Sequence, residues 1–193
     1  RVNYAFMRGE PDECHALARE LGRIERWAIL GPFDNTSGAG HPRNHIDSWD
    51  VRDGHYPGKH GQQVEWMTPR LVGGDGIVVV SRYFAESEET TAYLRTVVEI
   101  DDTDRYLLSI SHAGDVEVMV DGEILFRGSR KTSGQEAAHF ELTLTEGPHL
   151  VAAKLSNRDE SSQLGVGISE LDGDRADLEI RPEWGFQLPA ETV

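Results

Sequence analysis

VEVMVDGEILFR, from Val116 to Arg127, decides the fold class of this chain. Val116, Val118 and Val120 alternate with Glu117 and Met119, the two-residue period of a half-buried strand. Asp121-Gly122 supplies a two-residue turn whose positive φ angles match the twist of a tight hairpin. Ile124 and Phe126 continue the apolar alternation on the return strand. The stretch therefore predicts antiparallel β structure with one apolar face that the rest of the chain must cover.

Downstream of the hairpin the same period recurs. Phe140, Leu142 and Leu144 alternate and are closed by Glu146-Gly147-Pro148. His149 to Ser156 follows, with Val151, Ala153 and Leu155 as the inward set, and Leu164, Val166 and Ile168 make another strand. A further strand is predicted at Asp177 to Ile180, before an aromatic tail at Trp184 and Phe186. Upstream, Tyr106, Leu108 and Ile110 form one strand and Tyr93 to Ile100 another, with Leu94, Val98 and Ile100 on one side. Ile77 to Phe84 is an apolar strand-like run, Val64 to Met67 a short strand, and Arg26 to Leu30 the first, left through Gly31-Pro32-Phe33-Asp34-Asn35. Roughly eight to ten short strands between turn signals predict an antiparallel, jelly-roll-like β-sandwich, an all-β fold. No interleaved helices are present to build a parallel α/β sheet.

Residues 1–25 predict a short N-terminal helix. Pro11 suits a first turn, Asp12 and Glu13 favour its positive end, and Gly22 is a stop. Cys14, Leu17, Ala18 and Leu21 fall on one face, so the helix is either the tail of a preceding region or a brace on the sandwich. The chain divides into this helical segment, a sandwich over 26–171 and a C-terminal extension or linker over 172–193. Its opening on Arg1 rather than Met is read as that of a piece of something longer.

The formal net charge of −15 over 193 residues falls almost wholly after Arg70. Such an acidic surface repels phosphate backbones, which argues against nucleic acid and anionic membrane as partners. No run approaches the roughly 18 apolar residues of a membrane span. Cys14 is the only cysteine, so an internal disulfide is excluded, and on an apolar helix face it packs as a small hydrophobe.

Between Asp34 and Gln63 the chain is dense in Gly, Pro, His and Asp and repeats at neither 2 nor 3.6. A loop of this length in a compact domain is often functional. Sugar recognition needs an aromatic platform and a few fixed polar groups. Trp49 and Tyr56 are the platform candidates, with Arg43, Asn44, Asp34 and Asn35 as polar contacts; anchoring the loop to the sandwich is the competing role for the two rings. Arg127, Arg130 and Lys131 could meet an anionic sugar but read more simply as solvated charge. His41 and His45 stand four apart, a ligand spacing on a helix that Pro42 argues against. Calcium favours loop Asp and Asn oxygens, and Asp101, Asp102 and Asp104 are the candidate ligands. The run from Asp172 opens like an EF-hand, but Asp177 replaces the required Gly. Nucleophile-elbow, zinc-protease, phosphate-loop, C-x-x-C and S-x-x-K motifs are absent.

The succession YLRTVVEI, RYLLSISH, DVEVMVDGEILFRG, HFELTLTEGPHLVAAKLSN and LGVGI resembles the galactose-binding-like jelly roll. Val118, Val120, Asp121, Gly122, Gly147 and Asn157 stand at the places of that family's habit, and WAILGPFDN (Trp27 to Asn35) is similar to its opening segment. The resemblance covers about Trp27 to Leu171 and implies the non-catalytic carbohydrate-binding and accessory domains of bacterial polysaccharide-active proteins. It also implies a structural calcium, a glycan or a neighbouring protein domain as partner, and a multidomain, extracytoplasmic parent. The alternative expectations are an assembly domain that packs against other domains or subunits, and a fragment of a glycan-cleaving enzyme.

Overall fold

The computed structural model describes residues 11–49, 54–69, 76–129, 136–158 and 162–182. Among the described residues a helix, α1 (Pro11–Glu20), precedes twelve strands: β1 (Ala28–Asp34), β2 (Tyr56–Pro57), β3 (Gln63–Val64), β4 (Ile77–Val79), β5 (Thr90–Ile100), β6 (Asp104–Ala113), β7 (Asp115–Val120), β8 (Glu123–Gly128), β9 (Glu136–Leu144), β10 (Gly147–Ser156), β11 (Gln163–Glu170) and β12 (Leu178–Arg181). All pairings are antiparallel. The larger sheet runs β1-β5-β10-β7-β8, with β12 also on β5, and the smaller runs β4-β11-β6-β9. β2 and β3 form a separate two-stranded ribbon.

The β7–β8 hairpin turns where the sequence predicts, with φ of 51° at Asp121 and 85° at Gly122. Both values are left-handed, as a hairpin turn of this type needs. Asp121 does more than turn the chain: its Oδ1 accepts from Leu150 N at 2.8 Å and its Oδ2 meets His149 Nδ1 at 2.6 Å. The hairpin is thereby tied to the start of β10. The return strand departs from the expectation. Met119 pairs with Ile124 but Val118 with Phe126, so Leu125 is a bulge. Phe126 keeps the core side, while Ile124 shifts to the Met119 face and is 38% exposed.

Between the sheets, the alternating sets from β5, β6, β7, β10 and β11 form one cluster, including Leu94, Leu108, Val118, Val151 and Val166. The apolar run Ile77 to Phe84 is not one strand: β4 ends at Val79, and Val80–Arg82 coils into a single 3-10 turn. Val78, Val80 and Phe84 all reach the core. Likewise Gly31-Pro32-Phe33 does not leave the sheet. β1 continues to Asp34 through a register shift between Leu30 and Phe33, tolerated because β1 is an edge strand.

The N-terminal segment is sewn onto the smaller sheet. After α1, Gly22 takes φ +63°, and a Cβ there would lie 2.0 Å from Ile168 O, so both backbone conformation and space demand glycine. Ile24 N then donates to Val166 O and Ile168 N to Gly22 O, both at 2.9 Å. Ile24 and Trp27 follow into the core. Leu21 was expected on the buried face, but it lies past the last helical residue and is 57% exposed, while Ala18 is buried. The Cys14 side chain, Asp50, Asp53, Arg130, Lys131, Trp184 and Phe186 lie outside the described residues. No helix among the described residues is long and apolar enough to cross a membrane.

Candidate functional site

The outward face of the larger sheet is not simply wet. Along β5 and β10, residues of both parities are buried, because the long loop lies across that face. Leu30, Phe33, Ile46, Val64 and Tyr93 form a second cluster under the loop. Val97, Met119, Leu150 and Ala152 form a third, on which Trp49 rests.

Polar groups fasten the loop at each step. Asn35 is 0% exposed; its Oδ1 accepts from Gly40 N at 3.0 Å and His41 N at 2.9 Å, and its Nδ2 donates to Asn157 O at 2.6 Å. His41 Nδ1 meets Ser156 Oγ at 2.9 Å, and that hydroxyl meets Thr91 Oγ1 at 2.7 Å. Lys154, almost fully buried, donates to Arg43 O at 2.6 Å, and burial holds its ammonium below the usual lysine range. The Tyr93 hydroxyl accepts from His45 N at 2.9 Å, and burial pushes it up to about 12. Buried Arg95 donates to the Trp49 carbonyl. His45 stacks on Phe33 with ring centroids 4.8 Å apart.

The six ligand candidates thus separate into three groups. Asn35 is enclosed with its amide bonded to three backbone groups, which corrects its expected role as a contact. Trp49 and Tyr56 are half-buried, packed edge-on against Tyr93 (5.4 Å) and Phe33 (6.4 Å) respectively. Asp34, Arg43 and Asn44 leave their side chains at the surface. A hydrogen bond from the Thr36 hydroxyl, at 2.7 Å, holds the Asp34 carboxyl below its usual range. Asp101, Asp102 and Asp104 are exposed in the β5–β6 turn. There Asp104 Oδ1 accepts from Arg105 N at 2.7 Å, and the Asp102 carbonyl accepts from the Tyr106 hydroxyl at 2.8 Å. Among the described residues no three His, Cys, Asp or Glu side chains are grouped to hold a metal ion, and this includes those three and the His41/His45 pair.

Two pairs invite a catalytic reading and do not sustain it. A nucleophile has to reach a substrate. Ser156, beside His41, is 0% exposed and already bonded to Thr91, and His149 is walled in between Asp121 and Thr145 O. The first pair ties the loop to β10, and the second ties the β7–β8 turn to β10.

His41 and His45 give the loop a pH response. Burial is the first cause holding both below the ordinary 6.5, and Lys154 pushes the same way; Asp115 and Glu117 oppose it at His41. The folded chain therefore binds fewer protons than the unfolded one as pH falls below about 6.5, so stability is complete above that value and is lost on acidification. The urea midpoint should fall between about pH 7 and pH 5, and less steeply in His41→Asn. A midpoint rising on acidification would contradict this burial.

A concavity lies at the end of the loop. Pro32, the turn contributing Lys59, His60 and Gln62, and the segment Tyr83 to Glu86 enclose a cleft of about 290 Å³. Its two longer segments differ in character: the 59–62 turn is polar, while Tyr83, Phe84 and Ala85 are apolar and end in Glu86. His60 Nε2 and Glu86 Oε2 join them at 3.1 Å, both side chains largely exposed. Lys59 donates to Glu88 O at 2.5 Å, fixing the turn against the segment before β5. His60 sits at φ +55°, a left-handed conformation that Asn, Asp and His adopt more readily than most residues. The sequence offers His60 only as one of several loop histidines and Glu86 only as part of an acidic break. No linear pattern joins them.

No family model matches this chain, and no curated protein does. Solved structures do. It is similar to the epithelial adhesin 9 A domain from Candida glabrata, solved in complex with Galb1-4GlcNAc, at 11% identity and a TM-score of 0.49 over 82% of this chain and 89% of that one. A β-glucosidase from Kluyveromyces marxianus matches at 10% identity and a TM-score of 0.49 over 74% of this chain, which spans only 16% of that enzyme. A family 35 carbohydrate binding module from Clostridium thermocellum matches at 14% identity and a TM-score of 0.35, covering 62% of this chain and 84% of that one.

Proposed function

We propose that this chain is a non-catalytic carbohydrate-binding accessory module of a larger, exported protein. The observation that supports it is the cleft beside Pro32, with an aromatic, apolar segment facing a polar turn. A pyranose has the same two-sided character: a face of C–H groups suited to Tyr83, and a rim of hydroxyls suited to Gln62, His60 and Glu86. An assembly domain would need the long loop to offer apolar surface to a neighbour. Here Ile46 is buried under the loop, and Trp49 and Tyr56 pack half-buried against the chain's own sheet.

A glycan array probed with the purified chain should show binding to a subset of glycans, and the same preparation should release no reducing sugar from the polysaccharides that carry them. A flat array would contradict the proposal, and so would steady release of reducing ends.

A further inference from the structure

From the size and charge of the cleft we infer that it takes one neutral pyranose at the end of a glycan chain, rather than an acidic sugar or an internal stretch of polysaccharide. The inference rests on the carbohydrate-binding reading and goes past it to the class of ligand. Size comes first. At about 290 Å³ the cleft is at the bottom of the range for small-molecule sites, roughly 300–1,000 Å³, so it houses one ring and not a run of them. The His60–Glu86 contact bridges the two long segments.

Chemistry is the second constraint. The Glu86 carboxylate is an acceptor-only group with two oxygens, suited to two neighbouring sugar hydroxyls, and the His60 ring adds a further polar atom beside it. Tyr83, half-buried and packed against the main core, provides an aromatic body on a fixed support. A uronate or sulfated sugar would bring its charge beside Glu86, in the field of a chain with net charge −15. Lys59, anchored to the Glu88 carbonyl at 2.5 Å, is the permanent cation in the cleft lining, set against the Glu86 carboxylate and the negative field of the chain.

Calorimetric titration of the purified chain tests this with the methyl glycosides of glucose, galactose, mannose and xylose, methyl glucuronide, and the di- and trisaccharides of the neutral sugars. The expected result is binding of at least one neutral methyl glycoside, with its oligomers within about threefold of it and glucuronide weaker by about tenfold or more. Glu86→Gln should weaken binding about tenfold by removing charge-assisted hydrogen bonds. His60→Gly, which relaxes the left-handed backbone while deleting the ring, should weaken binding without loss of fold. Affinity growing about tenfold with each added sugar would overturn the single-ring assignment, and tighter binding of glucuronide would overturn the neutral one. Unchanged binding in both variants would remove the cleft from the account but leave the carbohydrate reading standing. Silence from every saccharide would remove both.

Discussion

Asn35→Ala is expected to destabilise the fold by about 4 kcal/mol, the largest loss foreseen for a single polar side chain in this protein. The wild-type amide satisfies three backbone groups at once: the N–H of Gly40, the N–H of His41 and the C=O of Asn157. Alanine leaves all three without that partner, and each buried, unpaired group costs about 1–3 kcal/mol, reduced where water reaches the His41 N–H. Asn35→Asp should fall between the two, because it keeps the acceptor but turns an oxygen toward the Asn157 carbonyl. Asn157 works the other half of the same tie, with its Oδ1 accepting from Thr90 N at 2.8 Å and its Nδ2 donating to Ser87 O at 2.6 Å. Asn35→Ala and Asn157→Ala combined should therefore cost less than their separate sums. Urea denaturation of the four proteins measures this directly. A loss under about 1 kcal/mol for Asn35→Ala would mean that water replaces the amide and that the tie carries little of the loop's order.

Trp49→Ala comes second, at about 3 kcal/mol, the lower end of the range for removing a tryptophan because this ring is only half-buried. It uncovers Val97, Met119, Leu150 and Ala152 and removes the edge contact with Tyr93 at 5.4 Å. Amide exchange across 41–49 should accelerate, since the remaining ties at Arg43 and His45 depend on the loop lying flat. Glycan affinity should change by less than about twofold, because the ring faces the sheet. The opposite pair of results, intact stability with lost binding, would restore Trp49 to the role of sugar platform.

The β7–β8 turn and the inward sets of β6, β10 and β11 were legible because two-residue alternation and an Asp-Gly pair act locally. The bulge at Leu125 was not, since Ile124, Leu125 and Phe126 are all apolar and either phase satisfies the pattern. Arg95 and Lys154 could be assigned to the outward face by parity. Their burial follows from a loop whose backbone carbonyls at Trp49 and Arg43 accept from them, and carbonyls leave no trace in the sequence. The loop itself was legible as unusual. Its aromatic residues were visible, but which way they turn depends on Phe33 and Tyr93, contributed by β1 and β5. The cleft was hidden most completely. His60 and Glu86 come from separate segments and meet only once β3 and β5 are in place.

The claim at the centre of this account is that sugar is recognised at the cleft while the long loop serves as a cover for the sheet. Two-dimensional NMR of the chain, titrated with the neutral methyl glycoside that binds it most tightly, tests that claim most directly. The account predicts shifts confined to the amides of 59–62 and 83–86, with the indole N–H signals of Trp49 and Trp66 unmoved. Shifts at the Trp49 indole and the amides of 41–49, with the cleft silent, would contradict it.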